Sequence, residues 1–269
     1  MNEERIFLAT PTRGAIYHGT HAALYRATRR PDINAQSFSS SLLTMAFNSL
    51  WCTALNARPI DYFAMIHDDI VPSGDWWLDR MIDELRRSGA DVLSVVMPIK
   101  DERGLTSTSF MAPSTGKMRR LTMRQAAKLP PTFDAALAGH PGKMLLPNTG
   151  LWVCDFTKPW VEKICFTVRD RNFKDGGAWV TQCFSEDWDF GVQCAALGLR
   201  VCVTRAIEAV HIGEFKYPNF QGWGSLETDD ASIANGVFAP DATHAWPHLE
   251  RLPLHKRAVS SRPVLETVK

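Results

Sequence analysis

The chain lacks an uninterrupted apolar run of the ~18–20 residues that a bilayer crossing needs. Its start, Met1-Asn2-Glu3-Glu4-Arg5, lacks the basic-then-apolar order of a secretion signal. The expectation is a cytoplasmic protein without integral membrane association. Net charge is nearly absent: 30 Lys and Arg against 29 Asp and Glu leave +1. That balance argues against a long, mainly electrostatic grip on nucleic acid and leaves room only for a local basic groove. The six cysteines (Cys52, Cys154, Cys165, Cys183, Cys194, Cys202) form no C-x-x-C pair and no zinc spacing. Most lie in apolar stretches and read as reduced, small core residues. Also missing are a GxxxxGK[ST] phosphate loop, a GxGxxG after the first strand, a GxSxG elbow and an HExxH pair.

What is present is ordinary for a globular protein. Over 269 residues, 45% are hydrophobic and 22% charged, which excludes disorder, collagen-like repeats and a disulfide-rich miniature fold. A chain of this size can bury roughly 75% of its unfolded surface, enough for one large α/β domain. Arg5–Thr10 reads as a first strand stopped by Pro11-Thr12-Arg13-Gly14. Ser39–Asn56 carries apolar positions at helical spacing, and Tyr62–Ile66 is an apolar run suited to a strand covered on both faces. A helix over Asp75–Arg87, closed by Ser88-Gly89, and a strand over Asp91–Val96 complete a doubly wound, parallel pattern in about residues 1–100.

From Pro98 to Pro147 the periodicity fades. This stretch, with a basic patch at Lys117, Arg119, Arg120, Arg124 and Lys128, reads as excursions over the active face. Strands are expected at Gly150–Phe156, Val201–Val203 and Glu208–His211, with helices at Lys158–Ile164 and Ser185–Leu197. Residues 1–240 are read as one catalytic domain with halves meeting near 100, and 241–269 as a C-terminal extension.

Four constellations carry candidate chemistry. His67-Asp68-Asp69 follows a buried strand, where open α/β sheets bind ligands. Two carboxylates there suit a hard divalent ion completed by substrate phosphates, though aspartates also simply begin turns. Glu186 and Asp187 open a helix, a position the helix dipole favours without any catalysis. Facing a metal, either would serve as general base toward a hydroxyl. His211-Ile212-Gly213 follows a strand, and a lone histidine is more often structural than ligating. Mn²⁺ nonetheless accepts imidazole, and Gly213 permits close backbone approach. Asn148-Thr149-Gly150 is small and polar, either a turn or a donor of hydrogen bonds to sugar or phosphate. Of the nine tryptophans, Trp76, Trp77, Trp152, Trp160 and Trp188 are expected in the core. Trp223, between Gly222 and Gly224, is the candidate for stacking on a sugar or base.

Taken in order, these elements resemble the GT-A glycosyltransferases, and most nearly their family-2-like branch, over about Arg5 to Tyr217. The resemblance implies a GT-A type, Rossmann-like α/β fold. Its central sheet is mostly parallel and flanked by helices, with irregular acceptor-side excursions. It implies a Mn²⁺ or Mg²⁺ ion held by the Asp-x-Asp element, here His67-Asp68-Asp69. His67 replaces the first aspartate and Asp69 keeps the metal-ligand position, with His211 as a late metal or diphosphate contact. Pro11, Thr12, Arg13 and Asp68 would contact a UDP- or GDP-sugar donor, and Asn148, Thr149 and Gly150 the transferred sugar or acceptor. Asp187, or Glu186, would be the base of an inverting transfer; a late histidine also occurs in retaining relatives. The acceptor is not identified, and a hydroxylated base in DNA, as in phage-type modification, is among the alternatives. So are a sugar-nucleotide nucleotidyltransferase and a non-catalytic nucleotide-sugar binding module.

Overall fold

The computed structural model describes residues 4–114 and 118–229. Lys117 of the basic patch and the expected extension at 241–269 lie outside the described residues. The first half runs β1 (Ile6–Thr12), α1 (His18–Ala27), β2 (Ile33–Ser39), α2 (Leu43–Asn56), β3 (Tyr62–Ile66), β4 (Ile70–Pro72), α3 (Trp77–Ser88) and β5 (Val92–Val95). Next come β6 (Leu105–Met111), β7 (Met118–Thr122), α4 (Met123–Ala126), β8 (Thr132–Phe133), β9 (Met144–Leu146) and β10 (Leu151–Asp155). After a 3₁₀ turn at Pro159–Lys163, the chain adds β11 (Arg169–Asp175), β12 (Ala178–Phe184) and α5 (Glu186–Ala196). It then forms β13 (Val201–Thr204), β14 (Ala209–Ile212) and β15 (Lys216–Pro218).

Seven strands form the central sheet in the order β2-β1-β3-β10-β5-β13-β8. β10 is antiparallel to both neighbours and β8 to β13, so five of the seven run the same way. Successive side chains on a strand point to opposite faces, and here both faces are apolar. Phe7, Ala9, Phe63, Met65, Trp152 and Cys154 meet Trp51 of α2 and Phe190 of α5. Ile6, Leu8, Ala64, Ile66, Leu151 and Val153 meet Ala23 of α1 and Met81 of α3. This is why the central strands read as continuous apolar runs, and it gives the expected α/β, Rossmann-like, mostly parallel sheet with helices on both faces. Between Pro98 and Pro147 lies a three-stranded antiparallel sheet, β7-β6-β9. Its Phe110, Leu121 and Leu145 join the core that contains Trp51. Among the described residues, no helix is long and apolar enough to cross a membrane.

β3 has the bounds read from the sequence, and α3 and α5 agree to within two residues at each end. Other elements differ. The helix expected from Ser39 begins at Leu43, because Ser39 is still paired with Thr12 in β2. β2 gave no signal since it is a nearly fully exposed edge strand, polar at Asn34, Gln36, Ser37 and Ser39. Neither did α1, which buries the small residues Thr20, Ala23 and Ala27 rather than an apolar stripe. Trp76 corrects the expectation of a core residue: it is 66% exposed just before α3, while Trp77 is fully buried. Trp188 is half-buried. Cys154, Cys194 and Cys202 are buried as expected, but Cys52, Cys165 and Cys183 are exposed.

Trp51 is the hub of the larger core. Its ring meets those of Phe63, Trp152, Phe156, Trp160 and Phe166, and its indole N–H donates to the Val161 carbonyl at 2.9 Å. Trp51→Ala should lower stability by about 3–5 kcal/mol in denaturant titration; a loss below about 1 kcal/mol would show that neighbouring rings refill the space.

Candidate functional site

β3 delivers the acidic tip. Past Ile66 the chain turns, Ile70 N–H donating to the His67 carbonyl at 3.2 Å, and re-enters as β4, which pairs with β14. That pairing sets His211 opposite Ile70, and Ile212 N–H donates to the Asp69 carbonyl at 2.8 Å. Two segments remote in sequence therefore hold one carboxylate. Asp69 Oδ1 stands 3.5 Å from His211 Nε2, and Oδ2 forms an ion pair with Lys100. Oδ1 is buried and has no hydrogen-bond partner. His211 Nδ1 lies 2.8 Å from the Pro98 carbonyl. A carbonyl only accepts, so Nδ1 carries a proton toward Pro98 and Nε2 is the ring nitrogen turned toward Asp69. Burial pushes the Asp69 carboxyl up, but His211 and Lys100 more than cancel that and hold it below the ordinary carboxylate range.

The other tip residues differ. Burial lowers the His67 imidazole to about 4, so it is neutral at pH 7. Its Nε2 is buried without a hydrogen-bond partner, and its ring meets Phe47 edge-on at 5.3 Å. Asp68 turns toward the loop after β1: its carbonyl accepts from Tyr17 N–H at 2.8 Å and its carboxylate from Arg13 N–H at 3.3 Å. Pro11 and Thr12 are buried at the end of β1, whereas Arg13 is exposed, and its charge acts on both His67 and Glu186.

Asn148 is committed to its own loop. Its Nδ2 donates to Ser107 Oγ at 2.5 Å, its Oδ1 accepts from Gly150 N–H at 2.8 Å, and its carbonyl accepts from Ser94 Oγ at 2.5 Å. Thr149 is buried. Gly150 packs directly under the tip, where an added Cβ would lie 2.7 Å from Ile70 Cδ1 and 2.9 Å from Asn148 Oδ1.

At the start of α5, Asp187 accepts from the Trp188 N–H at 2.8 Å and from the Ser185 hydroxyl. Burial pushes its carboxyl up despite these bonds and the nearby Arg120. Glu186 is raised too, by burial and then by Asp187. Asp189 serves structure: it takes Arg169 of β11 at 2.5 Å, Thr167 at 2.6 Å and Gln193 at 2.8 Å. Trp188 lies beneath the Arg120 guanidinium at 4.8 Å and donates to the Ser107 carbonyl at 3.3 Å.

Asp69 and His211 are therefore brought together, Asn148–Gly150 packs beneath them, and Glu186 shares Arg13 with the tip. Trp223 is elsewhere in role: only 2% exposed, it packs on Tyr217 and donates to the Pro218 carbonyl at 2.8 Å, leaving no open face for stacking. Two contributors were missed. Lys100 had no signal beyond being a lone lysine after a strand, and Ser107 lay within a run of small hydroxyl residues (Thr106, Ser107, Thr108, Ser109). Among the described residues, no group of three His, Cys, Asp or Glu side chains is placed to hold a metal ion; Asp69 and His211 are a pair. A wide surface cavity lined by Arg5, Ile33, Asp61, Tyr62 and Asp155 lies at the opposite end of β1–β3 and contains none of these residues.

No family model matches the chain, and no curated protein matches it. Among solved structures it is similar to A197 from STIV, at 11% identity over 82% of this chain and 95% of that one, with a TM-score of 0.45. It is also similar to residues 1–349 of S. aureus TarS, at 12% identity over 75% of this chain and 58% of that one, TM-score 0.38. A third is a putative glucose-1-phosphate thymidylyltransferase from Bacillus anthracis in complex with sucrose, at 9% identity over 57% of this chain and 72% of that one, TM-score 0.30. At such values they carry no argument about chemistry, which rests on the site itself.

Gly150→Ala tests whether the tip depends on its underlying loop. The methyl group would drive Ile70 or Asn148 aside, so a stability loss of about 1–3 kcal/mol is expected. An unchanged denaturation midpoint would show that the loop yields without cost.

Proposed function

We propose that this protein is a metal-dependent glycosyltransferase that moves a sugar from a UDP- or GDP-sugar to an acceptor hydroxyl with inversion. The observation that carries the reading is the Asp69–His211 pair. Two ligands each ~2.1 Å from one ion stand ~3.0 Å apart at a right angle and farther apart as the angle opens. The 3.5 Å between Oδ1 and Nε2 is about half an ångström wider than that right-angle spacing, so the two side chains would draw slightly together on a shared ion. The unpartnered Oδ1 and the ring orientation fixed by Pro98 support the same assignment. A bound Mn²⁺ or Mg²⁺ would supply Lewis-acid stabilisation of the departing diphosphate.

The chain's own groups would do the rest. Arg13, and the loop it shares with Pro11 and Thr12, would face the donor, with Asp68 holding that loop in place through the Arg13 and Tyr17 backbone. Asn148–Gly150 would shape the floor beneath the sugar. Asp187, with Glu186 beside it, would take the proton of the attacking hydroxyl as its oxygen bonds to the anomeric carbon and the carbon–phosphate oxygen bond breaks. Burial suits Asp187 to that task, because a carboxylate raised above its ordinary range is a stronger base.

Release of nucleoside diphosphate from UDP- and GDP-sugars, with and without Mn²⁺, tests the reading. Asp69→Asn should abolish the Mn²⁺-dependent turnover; metal-stimulated release that survives the change would refute the assignment. A binding module would bind nucleotide with no metal-stimulated release at all.

Asp187→Asn should reduce kcat by ~10²–10⁴-fold with donor affinity nearly unchanged. The same variant should be at least as stable as the parent at pH 7. A carboxyl whose folded pKa exceeds its unfolded value costs stability as pH rises through the window between them, and Asn removes that cost. The stability gap should therefore close at a pH below the ordinary aspartate range. A variant markedly less stable at neutral pH would contradict the raised value.

A further inference from the structure

The proposed function leaves one closely held charge without a role. Lys100 forms an ion pair with Asp69 Oδ2, on the same carboxylate whose other oxygen faces His211. The contact is built from several directions. Ile99 N–H donates to the Leu105 carbonyl at 2.8 Å, fixing the backbone next to Lys100 against β6. The preceding Pro98 supplies the carbonyl that orients His211. The lysine stem then crosses Gly213, where an added Cβ would lie 3.0 Å from Lys100 Cδ. One short segment therefore orients the imidazole and places an ammonium on the carboxylate, and the glycine of the His211-Ile212-Gly213 run leaves room for it.

We propose that Lys100 is a resident counter-ion of the cation site, yielding Asp69 to a divalent metal when a nucleoside diphosphate arrives to receive its ammonium. The inference rests on the metal-dependent reading above and adds an order of assembly to it. A divalent ion arriving alone meets a carboxylate already neutralised, with a positive charge a few ångströms away in a partly buried setting of reduced dielectric. A diphosphate removes that obstacle by giving the ammonium a new partner and the metal additional oxygen ligands. Lysine suits this exchange because it is a compact point charge on a flexible four-carbon stem, and this side chain is 36% exposed, free to swing outward. Metal and nucleotide then bind cooperatively, and linkage requires each to tighten the other by the same factor.

Mn²⁺ binding to the full-length protein, followed by calorimetry or by the electron paramagnetic resonance signal of free Mn²⁺, tests this without turnover. Affinity is measured without nucleotide and in saturating UDP or GDP. Lys100→Met should bind Mn²⁺ alone roughly 5- to 150-fold more tightly than the parent, and the gain from nucleotide should shrink correspondingly. Lys100→Arg, which keeps the positive charge, should remain near the parent. Gly213→Ala, which crowds the stem, should tighten Mn²⁺ binding by an intermediate factor. Mn²⁺ affinity in Lys100→Met equal to or weaker than the parent's overturns the inference. If Asp69→Asn abolishes Mn²⁺ binding in that case, the metal reading survives alone. If Asp69→Asn leaves the parent's Mn²⁺ affinity unchanged, or no form binds Mn²⁺ even with nucleotide, the metal reading and the role of Lys100 fall together.

Discussion

The site depends on keeping the half-buried Asp69 carboxylate ionised beyond the end of a strand that is itself fully enclosed. Removing a charge from water is expensive unless something nearby replaces the water. Here the replacement comes from Lys100 and His211, placed by chain segments far from Asp69 and from each other. Much of the local architecture follows from that need: β4 turns back to meet β14, Pro98 stays within reach of the imidazole, and position 213 has no side chain. Any of these alone would be an unremarkable detail of loop packing.

The protein pushes its acidic groups in opposite directions. At the tip, neighbouring positive and hydrogen-bonding groups hold Asp69 below the ordinary carboxylate range. At the start of α5, burial raises Asp187 and Glu186 above it. Such a division suits a centre in which one carboxylate remains an anion and another exchanges a proton.

Parts of this arrangement were legible in the sequence for physical reasons. Tyr62–Ile66 is apolar on both faces because both faces are covered, so its bounds and the acidic residues after it could be read directly. α3 and α5 announce themselves through their apolar faces and the glycines that follow them. Strand direction is a different matter: β10 has the same buried composition as its parallel neighbours, and nothing in it encodes that it runs the other way. The β11–β12 hairpin gave no signal: none of its described side chains is buried, so they show no core face to pattern the sequence. Trp223 looked like an exposed loop ring because glycines flank it. Gly224 instead lies against the backbone of Arg103 and Gly104, an approach no side chain would permit, and the ring turns inward. Lys100 was invisible because its significance is entirely tertiary.

The reversed central strand has a consequence for how the molecule is made. β10 separates β3 from β5, so the strands encoded before residue 100 cannot close into a continuous sheet by themselves. On the ribosome, the emerging amino-terminal portion would expose two apolar strand edges until Leu151–Asp155 has been synthesised and slots between them. Such long-range pairing is slow and leaves adhesive surfaces uncovered. The insertion therefore ties a strand from the second half of the chain into the sheet built by the first.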